Sequence, residues 1–146
     1  SLTVTATGPV NVLSANQQQG TWTPLVTING STTGITQSAS IGYYQLVGRA
    51  MMVSFAITLT SKGAGAGFVA ISGLPKPELG TAAMGGAALT HYINCLGLVG
   101  PIVGNIAAGG STINLYESAA TDLVPIDDTK ITDTTAFKGT FFYFVR

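Results

Sequence analysis

The sequence has little charge, one cysteine and one histidine. Of its 146 residues, 8% are Asp, Glu, Lys or Arg, against roughly 25% in an average globular chain. The six acids balance the six bases. Arg49, Lys62, Lys76, Lys130, Lys138 and Arg146 are scattered and form no run. A nucleic-acid partner needs concentrated Lys and Arg to displace counterions, and a basic membrane anchor needs the same clustering; neither partner is expected. No run is apolar for the roughly 18 residues that a spanning helix takes, so membrane insertion is not expected. The first residues, SLTVTATGP, lack the basic start and apolar stretch of a secretory signal. The chain does not begin with Met and reads as a piece of something longer.

A single cysteine, Cys95, cannot bridge within the chain, and an oxidising compartment is not indicated. In HYINCLGLV it reads as a small buried hydrophobe on a strand. His91 lies four residues away, which on an extended strand is more than about 10 Å, too far for a thiolate–imidazole pair. Zinc wants about four soft or imidazole ligands and these two are all that is offered. No metal and no cofactor is expected.

What the chain does have is Thr, Ser, Gly and aliphatics. From Gly20 to Ser61 the one charged side chain is Arg49. With 46% apolar residues and no net charge this is the reverse of a disordered composition, and Thr suits a pleated surface. In RAMMVSFAITLTS, Met51, Val53, Phe55, Ile57 and Leu59 fall on one face and Ala50, Met52, Ser54, Ala56 and Thr58 on the other, the period-two pattern of a half-buried strand. TWTPLVTING is a strand marked by Pro24 as an edge or bulge. ITQSASIGYYQLVGR reads as two strands bent at Gly42. KGAGAG resembles a phosphate-binding loop only superficially, since strand and not helix follows; it is read as a hairpin loop with Val69 and Ile71 facing inward. AAGGST, before Ile113, has hairpin chemistry. Many short strands with no amphipathic helix predict an all-β, jelly-roll-like antiparallel β-sandwich.

The final strand, TFFYFVR, is apolar on both sides: Phe141, Tyr143 and Val145 on one, Phe142 and Phe144 on the other. Both sides need cover, either within the sandwich or from a neighbouring subunit.

Catalytic sets are thin. Asp127 and Asp128 are neighbours in a Pro-Asp loop, where Asp caps turns. His91 has no Gly-x-Ser-x-Gly elbow beside it. Trp22 is expected in the core, and Tyr43 and Tyr44 on opposite faces. Tyr92 and Tyr116, with His91, Asn94, Asn114 and Glu117, form the polar-aromatic mix most suited to a sugar ligand.

Read in order, GTWTP, GSTTGITQSASIGYYQLVGRAMMVSFAITLTSKG and GFVAISGLP, with TDTTAFKGTFFYFVR at the end, resemble the C-terminal domains of bacteriophage tail fibres and tailspikes. The resemblance covers Gly20 to Pro75 and Ile131 to Arg146; Lys76 to Lys130 departs from it. It implies a neck over 1–19 arriving from an upstream shaft, and a sandwich over 20–146 at the tip of a homotrimeric fibre. Such a domain assembles the trimer and meets host surface polysaccharide or lipopolysaccharide. It folds in the host cytoplasm and resides in the virion. In this reading Phe142 and Phe144 lie at the trimer interface, and this segment is not an enzyme. Two other readings share the composition. One is a polysaccharide-degrading or deacetylating domain using Asp127, Asp128, Glu117 or His91. The other is a jelly-roll capsid or decoration protein.

Overall fold

The computed structural model of the chain describes residues 17–80 and 86–145. The alternating stretch at 2–6, and most of the expected neck, lie outside them. The strands are β1 (Gln17–Trp22), β2 (Leu25–Ile28), β3 (Ile35–Val47), β4 (Ala50–Lys62), β5 (Val69–Ser72), β6 (Gly86–Ile93), β7 (Ile102–Ile106), β8 (Thr112–Ser118), β9 (Leu123–Pro125) and β10 (Ala136–Phe144). One 3-10 turn, Asp128–Lys130, is the helical segment among the described residues.

Every pairing is antiparallel, and the hydrogen-bonded order is β1-β3-β4-β10-β6-β7-β8-β5-β2, with β9 on β8. The path folds over itself as a jelly-roll-like β-sandwich. The first layer is β1, β3, β4, β10 and β6; the second is β7, β8, β5 and β2. Inward side chains of both layers, among them Met51, Val53, Ile57, Phe137, Phe141, Ile71, Ile102, Ile113 and Leu115, form one apolar core.

The heavy faces of β4 and β10 are buried as their alternation requires. The sandwich begins earlier than Gly20, because Gln17, Gln18 and Gln19 already pair with Val47, Leu46 and Gln45 of β3. Three glutamines carry no apolar signal, which is why this part of the strand reads as linker.

Pro24 separates β1 from β2 at the point where the chain passes from one layer to the other. Its carbonyl accepts from Gln37 Nε2 at 3.2 Å and from the Ser40 hydroxyl, while Gln37 Oε1 accepts from Val26 N at 2.9 Å. These bonds from β3 close the seam between the two ends of the strand order.

Three local expectations are corrected. β3 is one continuous strand of 13 residues with no bend at Gly42. Gly42 instead sits in a row that alternates large and small across the first layer, Trp22–Gly42–Phe55–Gly139–Leu89. The Trp22 indole lies over Gly42, meets Phe55 edge-on at 6.1 Å and donates to the carbonyls of Tyr43 and Ser54 at 3.2 and 3.3 Å. A methyl group at Gly42 would lie 2.5 Å from Trp22 Nε1. Gly42→Ala is therefore expected to cost about 2 kcal/mol by overpacking, read as a lower urea midpoint at unchanged slope; an unchanged midpoint would show that the indole slides aside freely.

KGAGAG is a crossover and not a hairpin. Both edges of β4 are taken, by β3 and β10, so β5 pairs with β2 and β8 in the other layer. Val69 and Ile71 do face inward. The third correction concerns Cys95. β6 ends at Ile93, and Asn94 turns the chain with φ 58°, so Cys95 is half-buried in the loop beyond. The AAGGST segment is the β7–β8 hairpin, with Gly109 at φ 72°.

Tyr143 is buried on β10 and its hydroxyl donates to the Lys76 carbonyl at 2.9 Å. Burial pushes its pKa up to about 12. A tyrosine in the unfolded chain titrates near 10. Because the folded value is the higher, this contribution to stability is whole below pH about 10 and is lost as pH rises toward about 12. Tyr143→Phe is expected to flatten that alkaline fall and to cost about 1 kcal/mol at neutral pH, measured by thermal melting across the range.

Candidate functional site

The outward side chains of the first layer mix Gln, Thr and Ser with a cluster of exposed apolar side chains. Cross-strand rows are Thr21–Tyr43–Ser54–Thr140, then Gln19–Gln45–Met52–Phe142, then Gln17–Val47–Ala50–Phe144. Tyr43 is 60% exposed, Met52 49% and Phe142 47%, with Ile41 and Val47 also exposed. The Phe142 and Phe144 rings meet edge-on at 5.3 Å. A depression of about 660 Å³ between Gln19, Thr21, Tyr43, Gln45, Met52 and Thr140 adjoins them. Tyr44, on the other side of β3, leans inward over Gly20 and packs on the core, so the two tyrosines are divided as expected. Phe142 and Phe144 are thus not sealed within a single copy.

The outward side chains of the second layer are mostly small or polar, with Leu25, Phe68 and Tyr116 as the larger exceptions. Thr27, Ala70, Asn114 and Asn105 form one row and Leu25, Ser72 and Thr112 the next. At the end of β2, Asn29 (φ 51°) and Gly30 (φ 77°) make a two-residue hairpin turn. Asn29 N donates to the Phe68 carbonyl at 2.9 Å. Phe68 continues the outward series of β5 and is 64% exposed.

The six residues expected to bind ligand do not converge. His91 is exposed on the first layer beside Lys138 of β10. Tyr92, opposite the buried Phe137, turns inward and packs on the core. Asn94 serves its own turn: Nδ2 donates to Thr134 O at 3.1 Å, and its carbonyl accepts from the Thr132 and Thr135 hydroxyls. Asn114 and Tyr116 do share the outer face of the second layer, where they alternate with buried Ile113 and Leu115. Glu117 has the parity of those two and is buried with them. Its carboxylate pairs with Lys130 Nζ at 3.2 Å and accepts from Val99 N at 2.8 Å. Phe68 and Asn29 were not expected at a site. The parity of Phe68 with Ala70 and Ser72, opposite Val69 and Ile71, was the signal that could have found it.

The acids named for catalysis hold loops. Asp127 caps the 3-10 turn, accepting from the Thr129 hydroxyl and from Thr129 N at 2.9 Å. These bonds, the hydroxyl first, hold its carboxyl below the usual range, the opposite of what a general acid at neutral pH needs. Asp128 Oδ1 accepts from Gly67 N at 2.9 Å, and Asp133 Oδ1 from Lys62 N at 2.8 Å, at the two ends of the crossover. Burial pushes the Cys95 thiol up, more than the Thr135 hydroxyl lowers it, so the thiolate needed for reactivity is scarce at neutral pH. Among the described residues no helix is long and apolar enough to cross a membrane.

The architecture is that of a jelly-roll-like antiparallel sandwich with an exposed apolar cluster on the outer face of its first layer. Among solved structures it is similar to the Dettilon tailspike protein, with a TM-score of 0.72 and 18% identity over 87% of this chain. It spans 23% of that tailspike's chain. The likeness establishes a shared fold. No protein-family model matches the chain, and no curated protein sequence does.

Proposed function

We propose that this chain is the distal domain of a phage tail fibre or tailspike, which assembles as a homotrimer and meets polysaccharide or lipopolysaccharide on the host surface. The observation that carries the reading is the outer face of the first layer. Contiguous exposed apolar side chains on a soluble domain mark an interaction surface, and here they include two aromatic rings and a methionine, residue types enriched at interfaces. A fold shared with one segment of a much longer tailspike supports a tip module joined to an upstream shaft. The motifs shared with tail-fibre C-terminal domains support the same placement, in the virion. The role is binding and not catalysis, because the acids close to one another are spent as caps and loop ties. A reducing host cytoplasm suits a chain with one thiol and no bridge to form.

A threefold assembly puts the apolar face toward the axis and leaves the polar face of the second layer outward. Light scattering after size exclusion tests it: the expected mass is three times the 14.9 kDa of one copy. A stable monomer at micromolar concentration would overturn the reading.

A further inference from the structure

We infer that the outer face of the second layer is a binding site for an uncharged saccharide, built on Phe68, Asn29, Asn114 and Thr112 around a floor of Ala70 and Thr27. The inference rests on the proposed host-surface role and gives it a location and a ligand class. The depression is about 380 Å³, and every side chain that lines it is neutral. Its shape follows from the strands. Ala70 lies between Thr27 and Asn114 in one row, so the smallest side chain occupies the middle. Phe68 rises beside it.

The backbone that carries Phe68 is held in place. Its carbonyl accepts from Asn29 N at 2.9 Å. The next residue, Val69, donates to Ile126 O at 2.8 Å, and Gly67 before it is tied to Asp128 both ways. A fixed backbone therefore presents a large apolar ring to solvent. Around it stand groups with hydrogen-bonding capacity to spare: among the described residues the Asn29 and Asn114 amides and the Thr112 hydroxyl have no protein partner.

This is the complement of a sugar ring, which offers an apolar C–H face to an aromatic and a rim of hydroxyls that both donate and accept. Asn amides and Thr hydroxyls do the same. An acidic sugar or a phosphate would need a cation, and none lines the depression. The apolar face proposed for assembly lies on the other layer, so both surfaces can be occupied at once.

The test is an array carrying neutral hexose, deoxyhexose and N-acetylhexosamine oligosaccharides beside uronate- and phosphate-bearing ones. Lipopolysaccharide O-chain and capsule fragments are printed separately, so that the source of the sugar is distinguished. Neutral spots are expected to bind, with little change between low and high salt because no charge is neutralised. Phe68→Ala should weaken binding about tenfold, the loss of one aromatic stacking partner. Asn114→Ala should weaken it severalfold, and Ala70→Leu, which fills the floor, should abolish it. Circular dichroism checks that each variant is folded, and Asn114→Ala, at a half-buried outward position, remains informative if Phe68→Ala is not. Binding to acidic spots alone, a blank array, or parental affinity in folded Phe68→Ala and Asn114→Ala overturns the inference. A monomer whose neutral-sugar binding depends on Phe68 would keep the inference and sink the assembly; a trimer with a blank array would do the reverse.

Discussion

Met52→Glu and Phe142→Glu, made separately, are each expected to turn the proposed trimer into a folded monomer. Both side chains are about half exposed in a single copy, so a carboxylate there stays solvated in the isolated domain and its sheet pairing is untouched. In the assembly the same carboxylate is driven into an apolar contact without a partner. An uncompensated charge in that setting costs about 3–5 kcal/mol, or roughly two to four decades in the association constant. In the proposed threefold assembly that cost recurs at each subunit. The two changes are kept apart because Met52 and Phe142 are directly opposite on β4 and β10, and like charges facing each other on a sheet would weaken the monomer as well. Asn105→Glu, outward on the second layer, is the control and should leave the mass unchanged. Light scattering gives the mass and far-UV circular dichroism the fold. Trimers that survive either substitution at micromolar concentration would move the interface away from this face.

The parity of a strand is legible in sequence; its partner is not. Alternation alone sorted Met51 from Met52 and Phe141 from Phe142, and so located both the core and the apolar outer face. It also placed Val69 and Ile71 inside. What it could not supply was which strands lie side by side. KGAGAG reads as a hairpin because a glycine loop between two strands usually joins neighbours. Here the other edge of β4 belongs to β10, whose residues pair with it from Ala136↔Thr58 to Phe144↔Ala50, far along the chain, and the loop must cross layers. Gly42 fails for the same reason: its role is set by Trp22, twenty positions away, and a glycine within a strand reads locally as a bend. The six residues expected to bind ligand lie near one another in sequence. Folding divided them, sending Tyr92 and Glu117 inward while Asn114 and Tyr116 faced out. Glu117 was in fact legible, since STINLYES puts it on the face of Ile113 and Leu115, but a carboxylate on an apolar face is read as a functional group before it is read as a structural one.

That carboxylate carries the second large prediction. Lys130→Met is expected to destabilise the domain by about 3 kcal/mol, the low end for a buried pair broken from one side, because Lys130 itself is a quarter exposed. The Glu117 side chain is 2% exposed and would keep only the Val99 N–H. Lys130 Nζ also donates to Gly97 O at 2.6 Å, and Leu96 N to the Lys130 carbonyl at 2.8 Å, so the ammonium ties the loop after β6 to the 3-10 turn as well as neutralising the acid. For a domain whose whole stability is about 5–15 kcal/mol, the melting temperature should fall by about 10 °C. Glu117→Gln should cost about 1 kcal/mol, since the amide oxygen still accepts from Val99 and Lys130 still reaches Gly97 and water. In the Lys130→Met background the same Glu117→Gln change should recover stability, because it removes a charge that has lost its counterion. That reversal of sign separates an electrostatic role from mere packing; without it, or with no loss in Lys130→Met, the buried carboxylate is held by its hydrogen bonds alone. Neutral-sugar binding should be the same in all three variants while they remain folded, because neither residue lines the Phe68 depression.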